Sequence, residues 1–239
     1  MILDGKIALV TGSSRGIGFA IADALVRAGA RVMLSARDPR GLAHAVERLE
    51  RVGAGRVRGV PCDVRRHAEV KELIRRTVAE LGGLDILINN AGVGGFGRVS
   101  ELPVEVWEQV LGTNLTGVFH CSREAIPALR ARGGGWIINL GSLAGKNPMA
   151  DGAAYCASKF GLVGFSESLM LDVRHDNIRV SCLMPGSVAT GFNDRTPGEQ
   201  DGWKIQPEDL GQIVVDLLSV PGRTLPSRIE IRPTRPPAR

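Results

Sequence analysis

The sequence predicts an α/β fold: a single doubly wound parallel sheet of about seven strands with helices on both faces. Three observations carry that prediction. Short apolar runs alternate with amphipathic helical stretches along the whole chain. The runs are apolar throughout, not at every second residue, which is the pattern of strands buried on both faces. Turn residues separate the runs from the helices, as βαβ units with right-handed crossovers require.

Ile7 to Val10 reads as the first strand, followed by a Gly-rich turn and a helix from Ile17 to Ala28 closed by Gly29. Arg31 to Ser35 is the second strand. Asp38 then offers an N-cap with Pro39 at the first helical position, and Leu42, Val46 and Leu49 give that helix its stripe. Arg56 to Val60 is a third strand. Val70, Leu73, Ile74, Thr77, Val78 and Leu81 recur at spacings of three and four, the signature of an amphipathic helix. Leu84 to Ile88 is the fourth strand, and one long helix is predicted from Val104 to Leu129. Trp136 to Leu140 is the fifth strand, Gly152 to Val173 a helix, and Ile178 to Leu183 the sixth strand. The segment from Thr190 to Gln206 is polar and loop-like. Pro207 to Leu218 is a last helix and Arg228 to Ile231 a last strand. With no linker and no shift of composition, residues 1–232 are predicted to form one domain, with 233–239 a frayed tail.

The 239 residues are 44% hydrophobic and 23% charged, near the globular average, which excludes disordered and collagen-like chains. No apolar run approaches the roughly 20 residues of a membrane span, and the first residues lack the pattern of a secretory signal. Cys62, Cys121, Cys156 and Cys182 are far apart with no C-x-x-C, so they read as free thiols in a reducing cytoplasm and no metal site is expected. The net charge is +5, but the basic residues are scattered and stacking aromatics are scarce, so nucleic-acid binding is not expected. The four histidines lack a G-x-S-x-G partner, which removes a serine-hydrolase reading.

Thr11-Gly12-Ser13-Ser14-Arg15-Gly16-Ile17-Gly18 lies between the first strand and the first helix. Glycines there allow a tight turn and close backbone approach to a pyrophosphate, which the helix N-terminus attracts. After the second strand, Ala36 stands about where an acid would hold a ribose 2′-hydroxyl, and Arg37 follows. A guanidinium pairs with a 2′-phosphate that a carboxylate would repel; Arg15 is a second cation able to reach it. These residues predict NADP(H) over NAD(H). Tyr155 is the chain's one tyrosine and lies four residues before Lys159 on a predicted helix, so both project from one face. An ammonium beside the phenol is expected to lower its pKa toward a usable general acid and base.

The spacing T-G-x-x-x-G-x-G resembles the nucleotide loop of the short-chain dehydrogenase/reductase family, a Rossmann-type fold. The resemblance continues through Asn89-Asn90-Ala91-Gly92, Asn114, Ser142, the Y-x-x-x-K of Tyr155 and Lys159, and Pro185-Gly186, in family order over roughly residues 5 to 190. It implies an NADP(H)-dependent oxidoreductase interconverting a carbonyl and an alcohol. By resemblance, Ser142 donates to the substrate oxygen, Tyr155 transfers the proton, Lys159 binds the nicotinamide ribose and Asn114 holds a relay water. Gly12, Ser14, Arg15, Gly16, Ile17, Gly18 and Arg37 line the phosphates, Asp63 and Val64 take the adenine, and Asn90, Ala91 and Gly92 lie against its ribose. Pro185, Gly186, Val188 and Thr190 take the nicotinamide end. The Tyr155 helix is apolar nearly all round, and the resemblance implies a homodimer or homotetramer through it. A 3-oxoacyl-thioester reductase is one specific activity open to such a chain, although its last strand leads into Ile229-Glu230-Ile231-Arg232-Pro233-Thr234-Arg235-Pro236 where the familiar acyl-carrier-protein reductases are Gly-rich. A nucleotide-binding sensor without turnover is the reading of another class.

Overall fold

Strands β1 (Ile7–Thr11), β2 (Arg31–Ala36), β3 (Val57–Pro61), β4 (Ile86–Asn89), β5 (Gly135–Leu140), β6 (Ile178–Pro185) and β7 (Arg228–Ile231) form one sheet in a computed structural model that describes residues 1–192, 196 and 198–237. The order is β3-β2-β1-β4-β5-β6-β7, and each neighbouring pair is parallel. The chain thus starts in the middle, winds outward one way through β3, then returns and winds the other way. The switch falls between β1 and β4, and in such sheets the crevice beyond the strand ends at that point is where ligands bind.

The unbroken apolar runs follow from burial on both sides. Ala8 and Val10 of β1 face one core with Val32, Leu34, Ile86 and Ile138; Ile7 and Leu9 face the other with Met33, Leu87 and Ile137. Helices α1 (Gly16–Arg27), α2 (Pro39–Glu50) and α7 (Pro207–Leu218) cover the first face. Helices α3 (His67–Leu81), α5 (Gly117–Ala131) and α6 (Ala153–Val173) cover the second. No described helix is long and apolar enough to cross a membrane.

Two expectations meet a different structure. The long helix predicted from Val104 to Leu129 is two helices, α4 (Val104–Leu111) and α5, joined by a π-helical turn over Gly112–Thr116. There the Gly117 N–H reaches back five residues to the Gly112 carbonyl, so one extra residue is inserted without breaking the rod. The polar segment 190–206 contains a short helical turn at Glu199–Asp201, and Val188 forms a single parallel bridge with Ile205. Residues 193–195 and 197 of that segment, and 238–239 of the predicted tail, lie outside the described residues.

Candidate active site

The residues singled out from the sequence gather beyond the C-terminal ends of the strands. Gly12 follows β1, Arg37 β2, Asp63 β3, Asn90 β4 and Ser142 β5, while Gly186 follows β6. The turn after β1 is clamped from both sides. The Thr11 hydroxyl accepts from the N–H groups of Asn90 and Ala91, and the Asn90 side chain donates to the carbonyls of Thr11 and Gly12. The buried Ser13 hydroxyl donates to the Val10 carbonyl and accepts from the Ser35 N–H at 2.9 Å. The sequence pattern T-G-x-x-x-G-x-G contains Thr11 but gives neither it nor Ser13 a role; the only signal is their position on either side of Gly12.

This clamp leaves no room for side chains. Gly12 has φ +64, and a Cβ on it would lie 2.7 Å from the Ala91 Cα. A Cβ on Gly18 would lie 2.3 Å from the Asn90 amide nitrogen and 2.5 Å from the Gly12 carbonyl oxygen. Glycine at both positions is a steric requirement.

The N-terminus of α1 is left open. Its N-cap, Arg15, makes no side-chain cap, and the first turn holds no acid. The N–H groups of Gly16, Ile17 and Gly18 therefore face the crevice without a side-chain acceptor, as an anion site requires. Helix α2 shows the contrast: Asp38 accepts from the N–H groups of both Arg40 and Gly41. Ser14 lies over that N-terminus, its Cβ 3.8 Å from where a Cβ on Gly41 would be. Arg15 and Arg37 are exposed, with no carboxylate within ion-pair distance among the described residues. Gly16 faces Thr190 across the crevice, at 3.7 Å from a built Cβ to the threonine methyl. Uncapped donors, two free guanidinium groups and a glycine cradle fit the pyrophosphate and 2′-phosphate of a dinucleotide.

Asp63 is held well below the usual carboxylate range, first by side-chain hydrogen bonds from Arg65, against the opposing effect of burial, and also by the Arg37 charge. Arg65 grips it with both Nε and Nη2, and the Arg65 N–H closes a turn onto it at 3.1 Å. Helix α3 begins later, with Arg66 as its N-cap, so Asp63 caps a turn and not the helix. Val64 packs on α5: a Cβ on Gly117 would lie 2.6 Å from its Cγ2.

Nearer the catalytic helix, Asn114 sits in the π turn, 1% exposed. Its side chain accepts from the Val93 N–H and donates to the Val93 carbonyl, both at 2.9 Å, and to the Ser158 hydroxyl at 3.0 Å. It thereby ties the segment after Gly92 to α6, one residue before Lys159. A Cβ on Gly92 would be 3.4 Å from the Asn114 amide oxygen and 4.0 Å from the Lys159 Nζ. Lys159 is 6% exposed and donates to the Leu140 carbonyl at 2.7 Å. Its Nζ stands 5.7 Å from the centre of the Tyr155 ring. Burial lowers its pKa to about 8, partly opposed by Cys182.

Ser142 opens the turn after β5, its hydroxyl accepting from the Ala144 N–H at 3.1 Å, and it favours the ionised form of the Tyr155 phenol. The sequence-based expectation was a phenol pulled down by Lys159. The Tyr155 pKa is instead raised: burial dominates, and the group that opposes it is Ser142. The lysine sits beside the ring and spends a hydrogen bond on Leu140, so its field does not overcome desolvation.

Pro185 pairs with Ile231, and the Gly186 N–H donates to the Ile231 carbonyl at 2.8 Å. A Cβ on Gly186 would lie 3.2 Å from Pro233 and 3.1 Å from Leu143, so β7 backs the loops that carry Ser142 and Val188. The Thr190 N–H reaches the Val188 carbonyl at 3.0 Å. Among the described residues no cluster of three or more His, Cys, Asp or Glu is placed to hold a metal ion.

Comparison with known proteins agrees with this architecture. Residues 6–201 match the family model described as short chain dehydrogenase. The chain is 36% identical over 229 residues to Dehydrogenase/reductase SDR family member 4 of Bos taurus, covering 91% of this chain and 82% of that one. It is 32% identical over 244 residues to the D-beta-hydroxybutyrate dehydrogenase of Cupriavidus necator, covering 93% and 94%. A metagenomic short-chain oxidoreductase solved in complex with NADP superposes with a TM-score of 0.87 at 36% identity, over 99% of this chain and 100% of that one. An α/β sheet switching at an open helix N-terminus, a Ser–Tyr–Lys cluster beside it and these relatives together place the chain in the short-chain dehydrogenase/reductase family, as an oxidoreductase of the alcohol–carbonyl pair.

Proposed function

We propose that the protein reduces a ketone or aldehyde, and oxidises the matching alcohol, with NADP(H), using Tyr155 as general acid and base. The observation that carries this reading is the cluster of Ser142 hydroxyl, Tyr155 phenol and Lys159 ammonium at the end of the cofactor crevice. NADPH supplies the hydride when bound. Gly12 to Gly18 bind its pyrophosphate through the open N-terminus of α1, and Arg15 and Arg37 pair with its 2′-phosphate. Asp63 and Val64 take the adenine, Asn90 to Gly92 flank its ribose, and Pro185, Gly186, Val188 and Thr190 hold the nicotinamide end. Lys159 binds the second ribose with the N–H groups that Leu140 leaves free.

Ser142 donates to the carbonyl oxygen and so places it against the Tyr155 hydroxyl. A phenol whose pKa is raised keeps its proton at neutral pH, so it is ready to donate during reduction. Asn114 positions the π turn whose water returns a proton to the site. Support for NADP(H) over NAD(H) is the Ala36-Arg37 pair at the end of β2 and the NADP bound to the metagenomic relative.

A second reading, reduction of a 3-oxoacyl thioester, draws on the relative named for D-beta-hydroxybutyrate, itself a 3-hydroxy acid. Parallel assays with NADPH and NADH on acetoacetyl-CoA and on ethyl acetoacetate test both. Turnover of the ester with NADPH is expected. Rapid turnover of the thioester selects the second reading, and tight NADPH binding with no turnover of any carbonyl selects a sensor.

The assembly we propose is a homodimer or homotetramer. Trp107 of α4, Phe119 of α5, and Phe160 and Leu171 of α6 are between 39% and 53% exposed, an apolar surface that a second copy would cover. Light scattering at micromolar concentration is expected to give at least twice the 25.5 kDa chain mass; a monomer mass refutes it. Four free buried thiols support the cytoplasm as its compartment.

A further inference from the structure

We propose that the site selects ketones bearing an aromatic ring, held between Phe96 and Phe192 with the carbonyl at Tyr155. The proposal rests on the reading of Tyr155 given above and names the substrate class for it.

Two phenylalanines from separate segments converge on one phenol. The Phe96 ring centre is 5.5 Å from that of Tyr155 at 42°, and the Phe192 ring centre is 5.9 Å away at 57°. Phe96 comes from the loop after β4 and Phe192 from the segment after β6, so the two rings are supplied by separate loops at the C-terminal ends of the strands. Neither ring is buried by the contact: Phe96 stays 45% exposed and Phe192 38%. The core closes over most large apolar side chains, so two half-open rings beside the Tyr155 ring are a surface for a ligand to cover. Tilted ring pairs at these separations are the favourable aromatic geometry, and a third ring can extend them.

Phe96 is held in place on both sides. A Cβ on Gly95 would lie 2.7 Å from Val106 and from Val110, so that backbone is pressed against α4. The Gly97 N–H donates to the Asp151 carbonyl at 2.7 Å, immediately before α6. The ring is thus fixed relative to the helix that carries Tyr155. Phe192 is tied more loosely, its N–H to the Thr190 hydroxyl at 3.4 Å. One firm ring and one adaptable ring make a slot that accepts planar groups of different widths.

The test compares kcat/KM for ethyl benzoylacetate and ethyl acetoacetate, which share the reacting keto ester and differ in a phenyl for a methyl. With NADPH and the full chain, the aryl ketone is expected to be preferred by about tenfold or more. Phe96→Ala and Phe192→Ala are each expected to cut the aryl-to-methyl ratio by roughly tenfold. Phe192→Leu, which keeps the bulk and removes the ring, should cut it by less. Thermal melts of the variants establish that each is folded. A ratio near one in the wild-type protein, or an unchanged ratio in both alanine variants, overturns the aromatic slot while the reductase reading stands. Oxidation of NADPH with neither ketone overturns both.

Discussion

Asp85 and Lys159 are almost equally buried, 5% and 6% exposed, at opposite strand ends of the same sheet. Asp85 precedes β4 at the end away from the site. It accepts from the Ile7 N–H at 2.9 Å and from Arg132 Nε and Nη2 at 3.2 and 3.3 Å, and Lys6 stands 3.8 Å away. Lys159 lies at the crevice end with one carbonyl partner and no carboxylate in ion-pair range among the described residues. Its pKa falls to about 8. A buried charge that is fully paired fixes structure. One that is under-paired carries a standing desolvation cost and keeps donors free for a ligand. The same contrast separates the capped α2 from the open α1. The crevice end of the sheet is built to be completed by something else.

The strongest way to break this contrast is at the phenol itself. Tyr155→Phe is expected to lower kcat by about a thousandfold while leaving NADPH affinity, read by fluorescence titration, within a factor of two or so. Retained turnover removes Tyr155 from the chemistry. At the closed end, Asp85→Ala strands the Ile7 N–H and the Arg132 charge, and should cost about 3 kcal/mol in urea unfolding with NADPH affinity unchanged. A variant as stable as the wild type would mean that Asp85 is no keystone. Along the nucleotide crevice, Arg37→Asp is expected to weaken NADPH roughly 10- to 100-fold and NADH far less; equal losses for both nucleotides contradict the 2′-phosphate assignment. Smallest of all is the exposed Lys146–Glu230–Arg232 chain, with both bonds at 2.7 Å. Glu230→Gln should leave the unfolding midpoint unchanged within error, most clearly in high salt.

Much of the fold was legible because both faces of the sheet are buried, which writes strands as plain apolar runs. Pro207–Leu218 and Arg228–Ile231 have the bounds their caps and runs predict. The π turn was hidden because one inserted residue hardly disturbs a 3.6-residue period. Its trace is Asn114, a buried polar residue in an apolar helix. The gathering of Gly92, Asn114, Ser142, Tyr155 and Lys159 was readable as motif order, but their ionisation was not: whether Tyr155 rises or falls depends on burial against charge, a balance set only in three dimensions. The clamping roles of Thr11 and Ser13 are not legible in the sequence because a hydroxyl beside a glycine turn looks like any turn residue. The Phe96–Tyr155–Phe192 group joins segments far apart in the chain, and no periodicity links them.

The most direct measurement of the central claim is the stability of the cofactor-free protein against that of Lys159→Met, by urea unfolding from pH 7 to 10.5. A lysine near 10.5 when unfolded and about 8 when folded holds more protons in the unfolded chain between those values, so the contribution of Lys159 to stability rises with pH across that window, while the buried thiols act the other way equally in both proteins. The burial penalty is full below pH 8. Removing it and losing the one hydrogen bond to Leu140 should leave the methionine variant about 2 kcal/mol more stable at pH 7, inactive, and with that advantage fading by pH 10.5. A variant less stable at pH 7, or an advantage that does not change with pH, would contradict the account.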